Sequence, residues 1–106
     1  MNIIAWLIFV VAAILEVGGD ATVRHGLRGR SVGFVLAGAV ALAGYGLVVN
    51  SVKWDFSRLI GVYVGFFVLV SVLVGRIVLR ETVPWTTWCG LALIVAGGVV
   101  IQFGQR

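Results

Sequence analysis

Four long apolar runs, separated by short polar or glycine-containing segments, set out the plan of the chain. The first covers residues 3–23, and its only charged positions are Glu16 and Asp20. The second, 32–52, carries no charge and places Tyr45 and Asn50 toward its far end. The third, 59–79, has Arg76 in its last turn, and the fourth, 85–104, opens on Trp85 and Trp88. Each run is close to the ~20 residues that carry a helix across a hydrocarbon core of about 30 Å. Membrane barrels are instead built from alternating segments of roughly ten residues, which unbroken apolar runs exclude. The pattern therefore predicts an all-α, integral membrane protein, a four-transmembrane-helix bundle forming one domain over residues 1–106. The glycines and basic residues of 24–30 are expected to end the first helix, and 53–58 and 80–84 to make the other connectors. Pro84 suits the first turn of the last helix, where its missing N–H is not needed. The first run lacks a basic leader and has two acids near its end, so it reads as a retained helix rather than a signal peptide.

Composition agrees with the membrane reading. Apolar residues make up 61% of the chain and charged residues 11%, with a mean hydropathy of +1.16; soluble domains carry about 25% charged residues. The net charge of +4 does not point to nucleic acid, because the basic residues lie between apolar spans, where they mark loops and membrane surfaces. Lys53, Arg58 and Arg106 fall on the side of the termini, against Arg24, Arg28, Arg30, Arg76 and Arg80 on the other. This bias mildly favours termini outside, and it is small enough for insertion in both orientations. Cys89 is the only cysteine and is expected to be a small apolar core residue, with neither a disulfide nor a metal role. No cofactor motif and no enzymatic constellation is present, and a bacterial inner-membrane location is expected.

Glu16 is the strongest chemical signal. It lies roughly 20 Å along a helix that begins at Ile3, deep in the hydrocarbon, where an ionised acid costs about 2.5–3.5 kcal/mol on insertion scales. An acid at that depth is a functional candidate, because removal from water disfavours its charged form and lets a proton and a cationic ligand compete for it. Phe9, Ala12, Ala13, Gly19 and Asp20 share its helix face, and small residues there admit a neighbouring backbone or a ligand. The alternative is a protonated or arginine-neutralised residue that only joins helices. Asp20 has the acid-first spacing of four to Arg24 that favours a local ion pair; a vestibule acid is the other reading. Arg76 is expected to snorkel to headgroups, and His25 to be a solvated loop residue. In the third span, Gly61 and Gly65 form a Gly-x-x-x-Gly crossing motif, while Tyr63 and Phe67 stack four apart, with Phe66 between them. Tyr63 could hydrogen-bond Glu16 or face a cation, or serve only in packing. Ala37, Gly38, Ala41 and Gly44 give the second span a small face, and Gly97-Gly98 could allow close dimer contact.

The deep glutamate in Ile14-Leu15-Glu16-Val17-Gly18, Tyr63 ahead of a glycine, and Glu81 with Pro84, Gly90 and Gly97 together resemble the small multidrug resistance transporters of the drug/metabolite transporter superfamily. Glu16-Val17-Gly18-Gly19, and the stretch from Ser57-Arg58 through Gly61-Val62-Tyr63-Val64-Gly65 to Arg76, also resemble the YnfA-like branch of small four-helix proteins. The resemblance implies a homodimer, antiparallel in that family, whose Glu16 carboxyls and Tyr63 form a shared site for a proton or a small cationic substrate. It departs from the typical exporters in having Phe66 where they have tryptophan, Val23-Arg24-His25-Gly26 at the end of the first helix, and the extra acid Asp20. Two other functions remain open: a non-transporting membrane module that associates through glycine faces, and a subunit that moves a lipid-linked substrate.

Overall fold

The computed structural model describes residues 3–104, which form four helices: α1 Ile3–Gly29, α2 Val32–Val49, α3 Phe56–Ile77 and α4 Trp85–Gly104. All four are long and apolar enough to cross a membrane. They fall into two compact units that divide between Lys53 and Trp54, the first holding α1 and α2, the second α3 and α4. Gln105 and Arg106, at the chain end, lie outside the described residues.

The first pair is a hairpin held by backbone proximity. Small residues recur every seven positions along α1, at Ala5, Ala12, Gly19 and Gly26, and all four are buried. A seven-residue repeat keeps one stripe of a helix facing its partner. A Cβ on Gly38 would stand 2.7 Å from the Gly19 carbonyl oxygen and 2.8 Å from the Val23 amide nitrogen. One on Gly26 would stand 2.7 Å from the Val35 amide nitrogen, and one on Gly19 3.0 Å from the Leu42 side chain. Without water to drive helices together, such close van der Waals approach is the main source of cohesion in lipid. These contacts fix the antiparallel register, with Gly26 against Val35, Val23 against Gly38 and Gly19 against Leu42.

The second pair follows the same scheme. A Cβ on Gly61 would stand 2.6 Å from Ile101 Cδ1, and one on Gly98 3.6 Å from the Gly61 carbonyl oxygen; on Gly65 it would rest 3.9 Å from Val95 Cα. At the open end of the pair, Arg58 Nη2 donates to Gln102 Oε1 at 2.9 Å. Beyond these seams the helices expose apolar side chains such as Leu36, Val40, Leu47, Leu93 and Val100. That surface would be a liability in water; in a bilayer it meets lipid or another apolar helix.

Helix ends depart from the hydropathy boundaries for local reasons. The first helix does not stop at residue 23 but runs to Gly29, because arginine is a good helix former and Gly26 is used for close packing on Val35 rather than as a breaker. The stop is Arg30, at φ 55°, followed by a hydrogen bond from the Ser31 amide to the Gly26 carbonyl at 2.8 Å, the six-to-one bond of a Schellman motif. Ser31 then caps α2 by accepting from the Phe34 amide at 3.4 Å. The second helix ends at Val49 rather than residue 52: Asn50 Nδ2 donates to the Gly46 carbonyl at 2.8 Å and the Ser51 hydroxyl to Val48 at 2.6 Å. Side chains of this type compete for helix carbonyls and tighten the last turn. The third helix begins three residues early, at Phe56, and ends at Ile77. Val78 and Leu79 both donate to the Val74 carbonyl, at 2.9 and 3.0 Å, and Arg80 adopts φ 56°. Cys89, expected in the core, is exposed, since the α4 residues that face α3 are Val95, Gly98, Ile101 and Gln102. His25 is on a helix rather than a loop; it remains exposed and meets the edge of Phe34, with ring centroids 4.8 Å apart.

Gly38→Ala should destabilise the first pair by about 1–3 kcal/mol, the usual cost of overpacking, because the new methyl meets backbone atoms that cannot rotate away. Gly18→Ala, where a Cβ would meet nothing within 4 Å, should be neutral or stabilising by up to about 1 kcal/mol. Thermal unfolding of the two variants in the same detergent checks the contrast; equal losses would refute the packing scheme.

Candidate functional site

Glu16 is the central residue of α1, about 20 Å from either helix end. It is half-buried and sits beside the buried Phe9, Ala12, Ala13 and Gly19. It occupies the seam itself: continuing the register one turn beyond Gly19 and Leu42 sets Glu16 opposite Tyr45 of α2. The Tyr45 side chain is half-buried and lies within electrostatic reach of both Glu16 and Asp20. A phenol can donate to a carboxylate or accept from a protonated carboxyl, so Tyr45 is able to serve either protonation state of its neighbour. The small residues around Glu16 leave the carboxyl more room than a leucine-packed seam would.

Asp20, one turn further on, is exposed. It makes no ion pair with Arg24, although the helix supplies the right spacing. Exposed pairs of this kind gain only ~0.3–0.5 kcal/mol, too little to hold two mobile side chains together. The remaining polar group nearby, the Thr22 hydroxyl, donates back to the Gly18 carbonyl at 2.7 Å.

The other sequence candidates belong to the second unit. Tyr63 is buried on α3, and Phe66 and Phe67 are half-buried. Gly61 and Gly65 face α4. The Gly97-Gly98 pair divides: Gly98 packs against Gly61 and Val62, whereas Gly97 is exposed, with nothing within 4 Å of its Cβ position. Arg76 is exposed.

Two polar arrangements escaped the sequence reading. Tyr45 stands out in the sequence only as a polar residue toward the far end of a span; the alanine and glycine stripe of α1 marks the seam but not the register that brings Tyr45 to Glu16. The other is Arg58, half-buried, with its guanidinium 3.9 Å from the centre of the Trp54 ring and bonded to Gln102. Its Nε is buried without a hydrogen-bond partner among the described residues. Stacking on indole is a favourable setting for a desolvated guanidinium. Among the described residues, no group of three or more His, Cys, Asp or Glu comes together to hold a metal ion.

Four helices long and apolar enough to cross a membrane, paired through glycine seams and carrying an acid midway along the first, define a small polytopic membrane protein. The family model described as "Uncharacterised BCR, YnfA/UPF0060 family" matches residues 2–106, and the chain belongs to that family. It is 33% identical over 108 residues to the UPF0060 membrane protein YfjF of Bacillus subtilis, which covers 100% of this chain and 99% of the relative. It is 38% identical over 104 residues to a UPF0060 membrane protein of Mycolicibacterium vanbaalenii, covering 94% of each. A Pseudomonas aeruginosa UPF0060 membrane protein is 34% identical over 105 residues, covering 97% of this chain and 96% of its own. No solved structure matches the chain.

If Glu16 and Tyr45 act on one another, Glu16→Gln and Tyr45→Phe should be non-additive in stability, with a coupling of at least about 0.5 kcal/mol. A double-mutant cycle by reversible unfolding in detergent measures it; strict additivity would separate the two side chains.

Proposed function

We propose that this chain is a small secondary transporter that exports a cationic small molecule in exchange for protons. It works as a homodimer in which the two Glu16 carboxyls form the shared proton and substrate site. The observation that carries this reading is the place of Glu16: the midpoint of the longest span, on a seam of small residues, opposite a tyrosine. A carboxyl kept there has few uses in packing that glutamine or alanine would not serve at lower cost. As an exchange group it needs no other machinery. Bound proton and bound cation exclude one another, so release of one drives uptake of the other.

Tyr45 orients the carboxyl within each protomer, and Tyr63 is the second aromatic candidate, through its ring or hydroxyl. A homodimer is supported by the outward-facing Gly97, whose bare Cα gives a partner helix close access, and by the apolar surface left on both helix pairs. The small charge bias between the two sides suits an antiparallel arrangement, which needs both insertions.

Purified protein in liposomes should release protons when a lipophilic organic cation is added, and Glu16→Gln should lower that release to the level of protein-free liposomes. Tyr45→Phe should weaken the apparent cation affinity by about three- to tenfold, the effect of one net hydrogen bond. Release that persists unchanged in Glu16→Gln would discard the mechanism. Intact assembly and no cation-dependent release from the wild type would favour a non-transporting module.

A further inference from the structure

The corner between α3 and α4 holds an open pocket of about 280 Å³ with a mixed polar and apolar lining, far larger than the ~30 Å³ share of one water. Ser71, Glu81, Thr82 and Thr87 contribute its polar atoms, over the apolar Val72 and Pro84. Glu81 is fixed in an otherwise exposed connector: its amide donates to the Gly75 carbonyl at 2.9 Å, and its Oε1 lies where it would stand 2.6 Å from a Cβ on Gly75. The carboxylate thus rests on the bare Cα of that glycine, at a distance a side chain would not permit. It makes no ion pair or side-chain hydrogen bond with the described residues, although Arg76 and Arg80 are exposed close by in the chain. The Ser71 hydroxyl gives its proton to the Val68 carbonyl at 2.9 Å, so its oxygen offers only lone pairs. Glu81 is the one charged side chain in this lining, Ser71 offers only lone pairs, and the Thr82 and Thr87 hydroxyls can accept as well as donate; such a site calls for a cationic donor with several N–H groups.

The surroundings say where such a donor comes from. The connector joins two membrane-crossing helices, and Trp85 and Trp88 are exposed beside it, as tryptophans are at headgroup depth. Exposed Arg76 and Arg80 supply positive charge for a phosphate. We propose that this pocket binds the primary ammonium of a zwitterionic phospholipid headgroup, with Glu81 as the recognising carboxylate and Gly75 as the residue that makes room for it. A choline headgroup carries a quaternary nitrogen with no N–H and cannot make these bonds.

The test uses native mass spectrometry of the full chain in mild detergent, offered equal amounts of phosphatidylethanolamine and phosphatidylcholine with the same acyl chains. The wild type should retain the ethanolamine lipid over the choline lipid by about tenfold. Glu81→Gln, isosteric at an exposed position, should reduce the ratio to about one, and Gly75→Ala, whose methyl takes the carboxylate's place, should do the same. Soluble ethanolamine in millimolar excess should leave the lipid adduct in place; if it strips the adduct, the pocket takes free amines from water and the lipid assignment falls. Equal retention of the two lipids by the wild type, or a preference that survives Glu81→Gln, overturns the proposal.

Discussion

The contact on which the first helix pair depends is the approach of two backbones at Gly19 and Gly38. There a single added methyl would collide with a carbonyl oxygen and an amide nitrogen. In lipid, no hydrophobic driving force pulls one apolar helix onto another, so cohesion has to come from close van der Waals contact. The seven-residue series of alanine and glycine on α1 supplies that contact along the helix. The seam also determines the chemistry, because a fixed register leaves Glu16 one place to be, opposite Tyr45. The same construction recurs in the second pair, where Gly61, Gly65 and Gly98 draw α3 and α4 together, and a half-buried Arg58 is held between indole and amide at the open end.

Much of the plan was legible in the sequence, because hydropathy reports directly on what a bilayer tolerates. The fourth span matches its expected limits, and the depth of Glu16 follows from counting residues. The ends of the other helices were less visible. The first helix continues through Arg24-His25-Gly26-Leu27-Arg28, since glycine there serves packing, and it stops at an arginine in the left-handed region. Gly29 is the last helical residue and keeps a negative φ, so the glycine stands one place before the residue that makes the turn. The position of Tyr45 was hidden for the same reason: the partner of Glu16 depends on the turn at Arg30-Ser31, and a one-residue change in that turn would present a different side chain. Cys89 was misplaced because an apolar residue in a membrane helix has no obligation to face inward.

The two polar features of the molecule differ in kind. Glu16 is an acid placed where charge is expensive, within a span, and in the proposed exchange it acts by changing state. Glu81 is an acid in the connector layer, seated against a glycine, where charge is tolerated and can be used for recognition. The two proposals differ accordingly: exchange needs an acid for which charge is costly, and headgroup recognition needs one for which it is tolerated.

The most direct measurement of the exchange role is a site-resolved titration of an isotopically labelled Glu16 carboxyl in bilayers, with and without a saturating lipophilic cation. Competition for one group requires that the cation-bound protein keep Glu16 ionised at pH values where the cation-free protein holds it protonated. Superimposable titration curves would show that proton and cation do not meet at this residue, and would contradict the account.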